Sequence, residues 1–183
     1  MVVKYEVSAK SKKDYQSSLV MSAVISLVIA SLSFAFGGWQ VGLLTTLFLV
    51  IFFLLGTYFP LSSQYKNYLE VNERDVFTYD SYYGKMNFCG KAGNVEFELS
   101  EIKAVTHYLS VATQNGNTGK LPWDPYGYVH FKLQDGRSFV LTSLMIPDIR
   151  EFLRNSEIDR NKITEVAGWM LRLVPGPNRV NAG

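Results

Sequence analysis

YQSSLVMSAVISLVIASLSFAFGGWQVGLLTTLFLVIFFLLGTYFPLSSQY, residues 15–65, holds no Asp, Glu, Lys, Arg or His across 51 positions. Two apolar blocks, 18–36 and 39–59, flank the dipeptide Gly37-Gly38. Wound as a helix, a block of about 20 residues is roughly 30 Å long, the thickness of a bilayer's hydrocarbon core. The stretch predicts a transmembrane helical hairpin over 17–60, with spans 17–36 and 39–59 and Pro60 ending the second. Each block is longer than a signal-peptide core, and the second follows the first at once, so both are read as spans.

The flanking charges orient the hairpin. Lys4, Lys10, Lys12 and Lys13 precede it, Lys66 and Arg74 follow it, and the turn has no basic residue. The positive-inside rule then puts both termini in the cytoplasm. The four lysines of the 1–16 arm are candidate lipid-headgroup contacts, and Trp39 is a natural anchor at the far interface. Small residues recur at i+4 on both spans, as Ser18, Ser22, Ser26 and Ala30 on the first and Gly38, Gly42 and Thr46 on the second. Such faces let helix backbones approach, which makes these seven the candidate helix-packing positions. Neither span carries an ionisable residue on which a proton relay or ion path could be built.

Beyond Pro60 the pattern shortens into alternating runs bounded by turn residues, the mark of strands. The runs are 68–71, 76–79, 85–88, 95–99, 105–112, 128–133 and 137–141, with Asp135-Gly136 as a strong hairpin turn before the last. A short helix is expected over 148–153. A longer amphipathic one follows Ser156-Glu157, with Ile163, Val166, Ala167, Met170, Leu171 and Val174 on one stripe. Residues 61–175 thus read as an α+β domain, an antiparallel sheet or partly open barrel of about seven strands closed by a C-terminal helix, and 176–183 as a loose tail. With fourteen basic and fourteen acidic residues from 61 to 183, the domain lacks the basic footprint of a nucleic-acid binder.

Lys4-Tyr5-Glu6-Val7-Ser8, the run from Tyr68 to Phe77, Leu99-Ser100-Glu101-Ile102, and Leu144-Met145-Ile146-Pro147 with Phe152 carry a resemblance. In these segments, and in the order of spans, strands and helix, the chain resembles the membrane-anchored bacterial pleckstrin-homology-like proteins, the YcxB-like group. The resemblance implies a pleckstrin-homology-like domain at the cytoplasmic face of an inner membrane, with a scaffold role more than a reaction. No basic cluster marks the loops, so phosphoinositide binding is not carried over.

Little points to catalysis. The two histidines, His107 and His130, lie inside strand-like runs without partners at metal-ligand spacing, and the single cysteine, Cys89, reads as a small strand filler. Glu96 and Glu98 share a sheet face, the ordinary pattern of a solvated side. No nucleophile-elbow motif or phosphate loop is present. No metal or cofactor is expected. The surface feature that stands out is Trp123, Tyr126 and Tyr128 in a Pro-containing turn, where aromatics suit an interaction hot spot; the other reading is that Trp123 folds back to close one end of the sheet.

The sequence therefore predicts a non-enzymatic, membrane-anchored scaffold. Its expected partners are the bilayer and another protein or a second copy, with no nucleic acid. An immunity-type or accessory protein acting through its hairpin is the alternative, and a membrane-bound enzyme comes third.

Overall fold

The computed structural model describes residues 2–91, 93–116, 124–168 and 172–175. Strand β1 (Val2–Glu6) leads into helix α1 (Ala9–Phe53), capped by the Ser8 hydroxyl on the Ser11 N–H at 3.0 Å. A π-helical turn, Leu54–Tyr58, joins α1 to α2 (Phe59–Asn72). Strands β2 (Val76–Asp80), β3 (Lys85–Gly90) and β4 (Gly93–Glu98) follow. Then come β5 (Ile102–Ser110), the single turn α3 (Val111–Gln114), β6 (Tyr128–Leu133), β7 (Ser138–Thr142), α4 (Ile149–Asn155) and β8 (Ile163–Gly168).

The strands form two four-stranded sheets, ordered β1-β2-β3-β4 and β7-β6-β5-β8, with every pairing antiparallel except β5–β8. Alternation supplies the core. Phe77, Met86, Phe88, Val95 and Phe97 of the first sheet are buried, as are Val105, Phe131, Leu133, Phe139 and Leu141 of the second. Phe139 is the hub, its ring 5.0 Å from Phe131, 4.9 Å from Phe88 and 5.3 Å from Phe97. From α4, Phe152 meets Tyr5, Phe77 and Tyr79 edge-on.

A second core lies on the outer face of the second sheet. There Leu61 and Tyr68 of α2 pack with Tyr126, Tyr128, Val140, Leu144, Tyr15 and Val174. Sheet two is thereby covered on both faces, which is why β7 is buried from Phe139 through Thr142 without alternation.

Helical structure from Ala9 to Asn72 makes one segment long and apolar enough to cross a membrane. The spans expected at 17–36 and 39–59 lie within one continuous helical segment, whose dihedrals break at Gly38, with φ 74° and ψ 178°. Tyr15 and Tyr65 stack at 3.9 Å, although a straight helix would hold them roughly 75 Å apart. Lys12 reaches Glu73 at 3.5 Å.

Four other expectations are corrected. Pro60 does not end the helix. It has no N–H to give the Gly56 carbonyl, and the π-helical turn just before it accommodates the missing bond. Residues 68–71 are the last turn of α2 rather than a strand, and β1 takes the place beside β2 that they were expected to fill. The C-terminal helix is absent at 163–168, where β8 instead pairs in parallel with the open edge of β5. Glu157 at φ 56° breaks the expected helix start, and the β-branched Ile163, Thr164 and Val166 suit a strand. Cys89 is exposed on β3 rather than a filler. The 176–183 tail lies outside the described residues.

Candidate functional site

The helix–sheet junction is built from polar side chains that imitate backbone. Asn72 donates from Nδ2 to the Val140 carbonyl at 2.9 Å and accepts the Thr142 N–H on Oδ1 at 2.9 Å. One turn earlier Asn67 does the same for Val174, accepting its N–H at 2.8 Å and donating to its carbonyl at 3.3 Å. Between them the Tyr68 hydroxyl donates to the Arg172 carbonyl at 2.8 Å and accepts from Gln64 at 2.9 Å. Arg172, buried, donates from Nε to the Tyr126 carbonyl at 2.7 Å. Burial drives the Tyr68 phenol pKa far up, so it stays a neutral hydrogen-bond donor. Each backbone group that the helix covers in this way keeps a partner it would otherwise lose to desolvation.

On the far edge of sheet two, the parallel β5–β8 register sets His107 opposite Glu165. His107 Nδ1 lies 3.7 Å from Glu165 Oε1 and makes no hydrogen bond, with the side chain 5% exposed. Burial lowers the imidazole pKa, while Glu165 opposes the shift. The Arg150 guanidinium forks onto Glu165 at 3.0 and 3.2 Å and donates to the Thr113 carbonyl at 2.9 Å. This cluster ties α4, α3 and β8 together beside a cavity of about 130 Å³ that Asp124, Tyr126 and Asp148 also line. His130, on β6, is half-buried, and burial lowers its pKa too.

The residues singled out in the sequence fall into three places. Tyr126 and Tyr128 are buried at 8% and 5% exposure in the second core, so they are packing residues rather than an exposed contact surface. Burial pushes both phenols up to about 12. The turn that presents them is held inward by Gly127, whose N–H reaches the Ser143 hydroxyl at 3.2 Å and whose carbonyl takes the Ser143 N–H at 2.9 Å. Trp123 lies outside the described residues.

The small-residue stripe coincides with the less exposed helix face. Ser18, Ser22, Ser26 and Thr46 are half-buried, and Ala30 and Gly42 are buried. The three serines and Thr46 bond back to the carbonyls four residues earlier. A Cβ on Gly42 would overlap the Phe34 ring. Gly38 is exposed at the break and supplies backbone freedom instead of packing. Of the four lysines, Lys4 pairs with Glu6 at 2.7 Å and Lys12 with Glu73, while Lys10 and Lys13 are solvent-facing. Glu96 and Glu98 are exposed on β4, Glu96 with Lys85 at 3.8 Å.

The sequence reading missed Asn67, Asn72, Arg150 and Glu165, because each acquires its role only when distant segments meet. Among the described residues, no group of three His, Cys, Asp or Glu side chains is placed to hold a metal ion.

No curated protein and no solved structure matches the chain. A family model described as a PH domain matches residues 4–150. That range runs from β1 through both sheets to the start of α4, with the long helical segment inserted between β1 and β2, and it leaves β8 outside. Two antiparallel sheets packed on a common core, closed by a helix after the seventh strand, agree with it, and the chain belongs to the PH-domain family.

Proposed function

We propose that the chain is a non-enzymatic, membrane-anchored scaffold, its PH domain held rigidly at the cytoplasmic face of an inner membrane for assembly with another protein. The observation that carries this reading is the Tyr15–Tyr65 stack at 3.9 Å across a helical segment broken at Gly38. The segment then turns back as a hairpin whose arms are the two spans. Its tip exposes Phe36 and Trp39, and its outer faces expose Val20, Leu27, Leu44, Leu47 and Phe48, each at 59% or more. Apolar area on that scale is stable in lipid and is an aggregation hazard in water.

α2 continues the second arm directly into the domain, where Asn67, Tyr68 and Asn72 fix it. A PH domain supports a protein-interaction role, and the absence of charge from 15 to 65 supports an anchor that conducts nothing.

Cysteine accessibility in oriented membrane vesicles tests it. After Cys89→Ser removes the exposed native thiol, Lys13→Cys and Arg154→Cys should label only from the cytoplasmic side, and Gly37→Cys only from the opposite side. Labelling of Gly37→Cys and Lys13→Cys from one side would overturn the hairpin.

A further inference from the structure

A groove of about 420 Å³ runs between β1 and α4, walled by Val3, Tyr5, Tyr79, Ile146, Pro147 and Phe152. β1 is an edge strand, bonded to β2 on one side only, so alternate N–H and C=O groups of Val2–Glu6 face away from the sheet, and Val3 and Tyr5 of the same strand wall the groove. The rim is acidic. Asp148 and Glu151 line it and make no ion pair among the described residues. Glu151 stands close enough to raise the Tyr5 phenol pKa beyond the effect of burial, and Glu157 and Asp80 do the same for Tyr79. Two neighbouring cations are engaged elsewhere: Lys4 points to the opposite face of β1 and pairs with Glu6, and Arg150 turns to Glu165.

We propose that this groove docks an extended, basic segment of a partner protein, which adds to the free edge of β1 as a further strand. Alternate apolar side chains of that segment would fill the aromatic wall, and its Lys or Arg residues would meet Asp148 and Glu151. Main-chain pairing to an open edge supplies affinity in this mode of recognition, and pockets for alternate side chains supply selectivity. The five-residue length of β1 sets the segment at about five residues, roughly 17 Å. The carboxylate rim repels phosphate-bearing ligands such as lipid headgroups and nucleic acid. The inference rests on the scaffold reading and names the chemistry of the partner.

Fluorescence anisotropy on the full chain in detergent tests it with three labelled hexapeptides: Lys-Val-Arg-Val-Lys-Val, its Glu-for-cation counterpart, and the basic peptide N-methylated at alternate residues. The basic peptide should bind, more weakly at higher salt, and the acidic and N-methylated ones should not. Asp148→Asn with Glu151→Gln should weaken binding about tenfold or more. Asn still caps α4, so the fold survives, and an unchanged melting temperature verifies that. Equal binding of the basic and acidic peptides, of the N-methylated and parent peptides, or of the wild-type and double-variant proteins would overturn the groove. Crosslinking in native membranes separates the two readings. If the basic peptide fails to bind the wild-type chain while the double variant keeps the wild-type adducts, the groove is rejected and the scaffold stands.

Discussion

Asn72, the last residue of α2, stands where a strand neighbouring β7 would stand, holding the Thr142 N–H at 2.9 Å while its own amide reaches Val140. The helix leaving the apolar segment is thereby fastened to the PH domain by the same kind of bond that holds the sheet together. Displacement of the helix must break this pairing, so the domain and its helical stem are expected to move as one body.

Asn72→Ala should be strongly destabilising. It removes the partner of the buried Thr142 N–H, costing about 1–3 kcal/mol when left unsatisfied, together with the bond to the Val140 carbonyl. The bond to Asp75 at 3.0 Å is lost as well. A total of about 2–5 kcal/mol corresponds to a melting-temperature drop of roughly 5–15 °C for a chain of this size. Calorimetry of the detergent-solubilised protein measures it, and a change below about 2 °C would mean that the junction is not a stabilising contact.

Residues 61–175 should fail to fold cooperatively when expressed alone. β1 lies outside that range, and it supplies the edge of the first sheet together with Tyr5, whose ring is 5.5 Å from Phe152 and 6.0 Å from Phe77. A chain that keeps 1–16 and joins it to 60–183 through a short Gly/Ser linker should instead be soluble and melt in one transition. The stacked Tyr15 and Tyr65 show that the two ends already lie together. A cooperative melt from 61–175 alone would overturn this.

Strands β3 and β4 were legible because each alternates cleanly, around Met86 and Phe88 and around Val95 and Phe97, and β6 and β7 because Asp135-Gly136 turns between them with Gly136 at φ 91°. α2 was not, since its buried face of Leu61, Gln64, Tyr68 and Asn72 keeps helical spacing but carries two amides that an apolar pattern passes over. β8 was misread for the opposite reason. Ile163, Val166 and Ala167 keep a helical spacing, yet the free edge of β5 satisfies their backbone as a strand and leaves Val166 41% exposed. The His107–Glu165–Arg150 cluster depends on that non-local register, so no local motif could reveal it. The aromatic turn was visible, but its direction was not, because the face that receives Tyr126 belongs to a helix that continues past Pro60.

Acid should weaken the fold from about pH 6.5 downward. Burial lowers the pKa of both His107 and His130 in the folded state, Glu165 opposing at the first and Lys132 adding at the second. The unfolded chain therefore takes up these protons first, so stability rises with pH across the window between folded and unfolded values. The histidine contribution is complete above the unfolded pKa and is lost as pH falls through the folded one. Asp135, lowered chiefly by its bond from the Arg137 backbone, acts only below the ordinary carboxylate range and leaves this window clear. His107→Gln should flatten the dependence of melting temperature on pH between about 5 and 7. An unchanged slope in that variant would show that His107 is not the titrating group.

The turn at Gly38 should be intolerant of side chains, and its loss should be visible as a loss of proximity. At φ 74° and ψ 178° Gly38 occupies a region that other residues enter only at a cost of about 1–3 kcal/mol. Gly42 has no room for a Cβ against Phe34. Gln16 and Lys66, exposed and one residue beyond the stacked tyrosines, give a direct readout when both are changed to Cys in a Cys89→Ser background and labelled with pyrene. The hairpin should give strong excimer emission at high dilution in detergent or lipid, because excimers need the two rings in contact. A straight helix would hold these positions roughly 75 Å apart and give none. Gly38→Val combined with Gly42→Leu should reduce the excimer signal, while Gly56→Ala, whose Cβ would lie at an ordinary 3.6 Å from the Phe52 ring, should leave it intact. Monomer emission alone from the parent double-cysteine chain would exclude the hairpin outright. Excimer emission that falls in proportion to protein dilution would assign the contact to two chains instead of one.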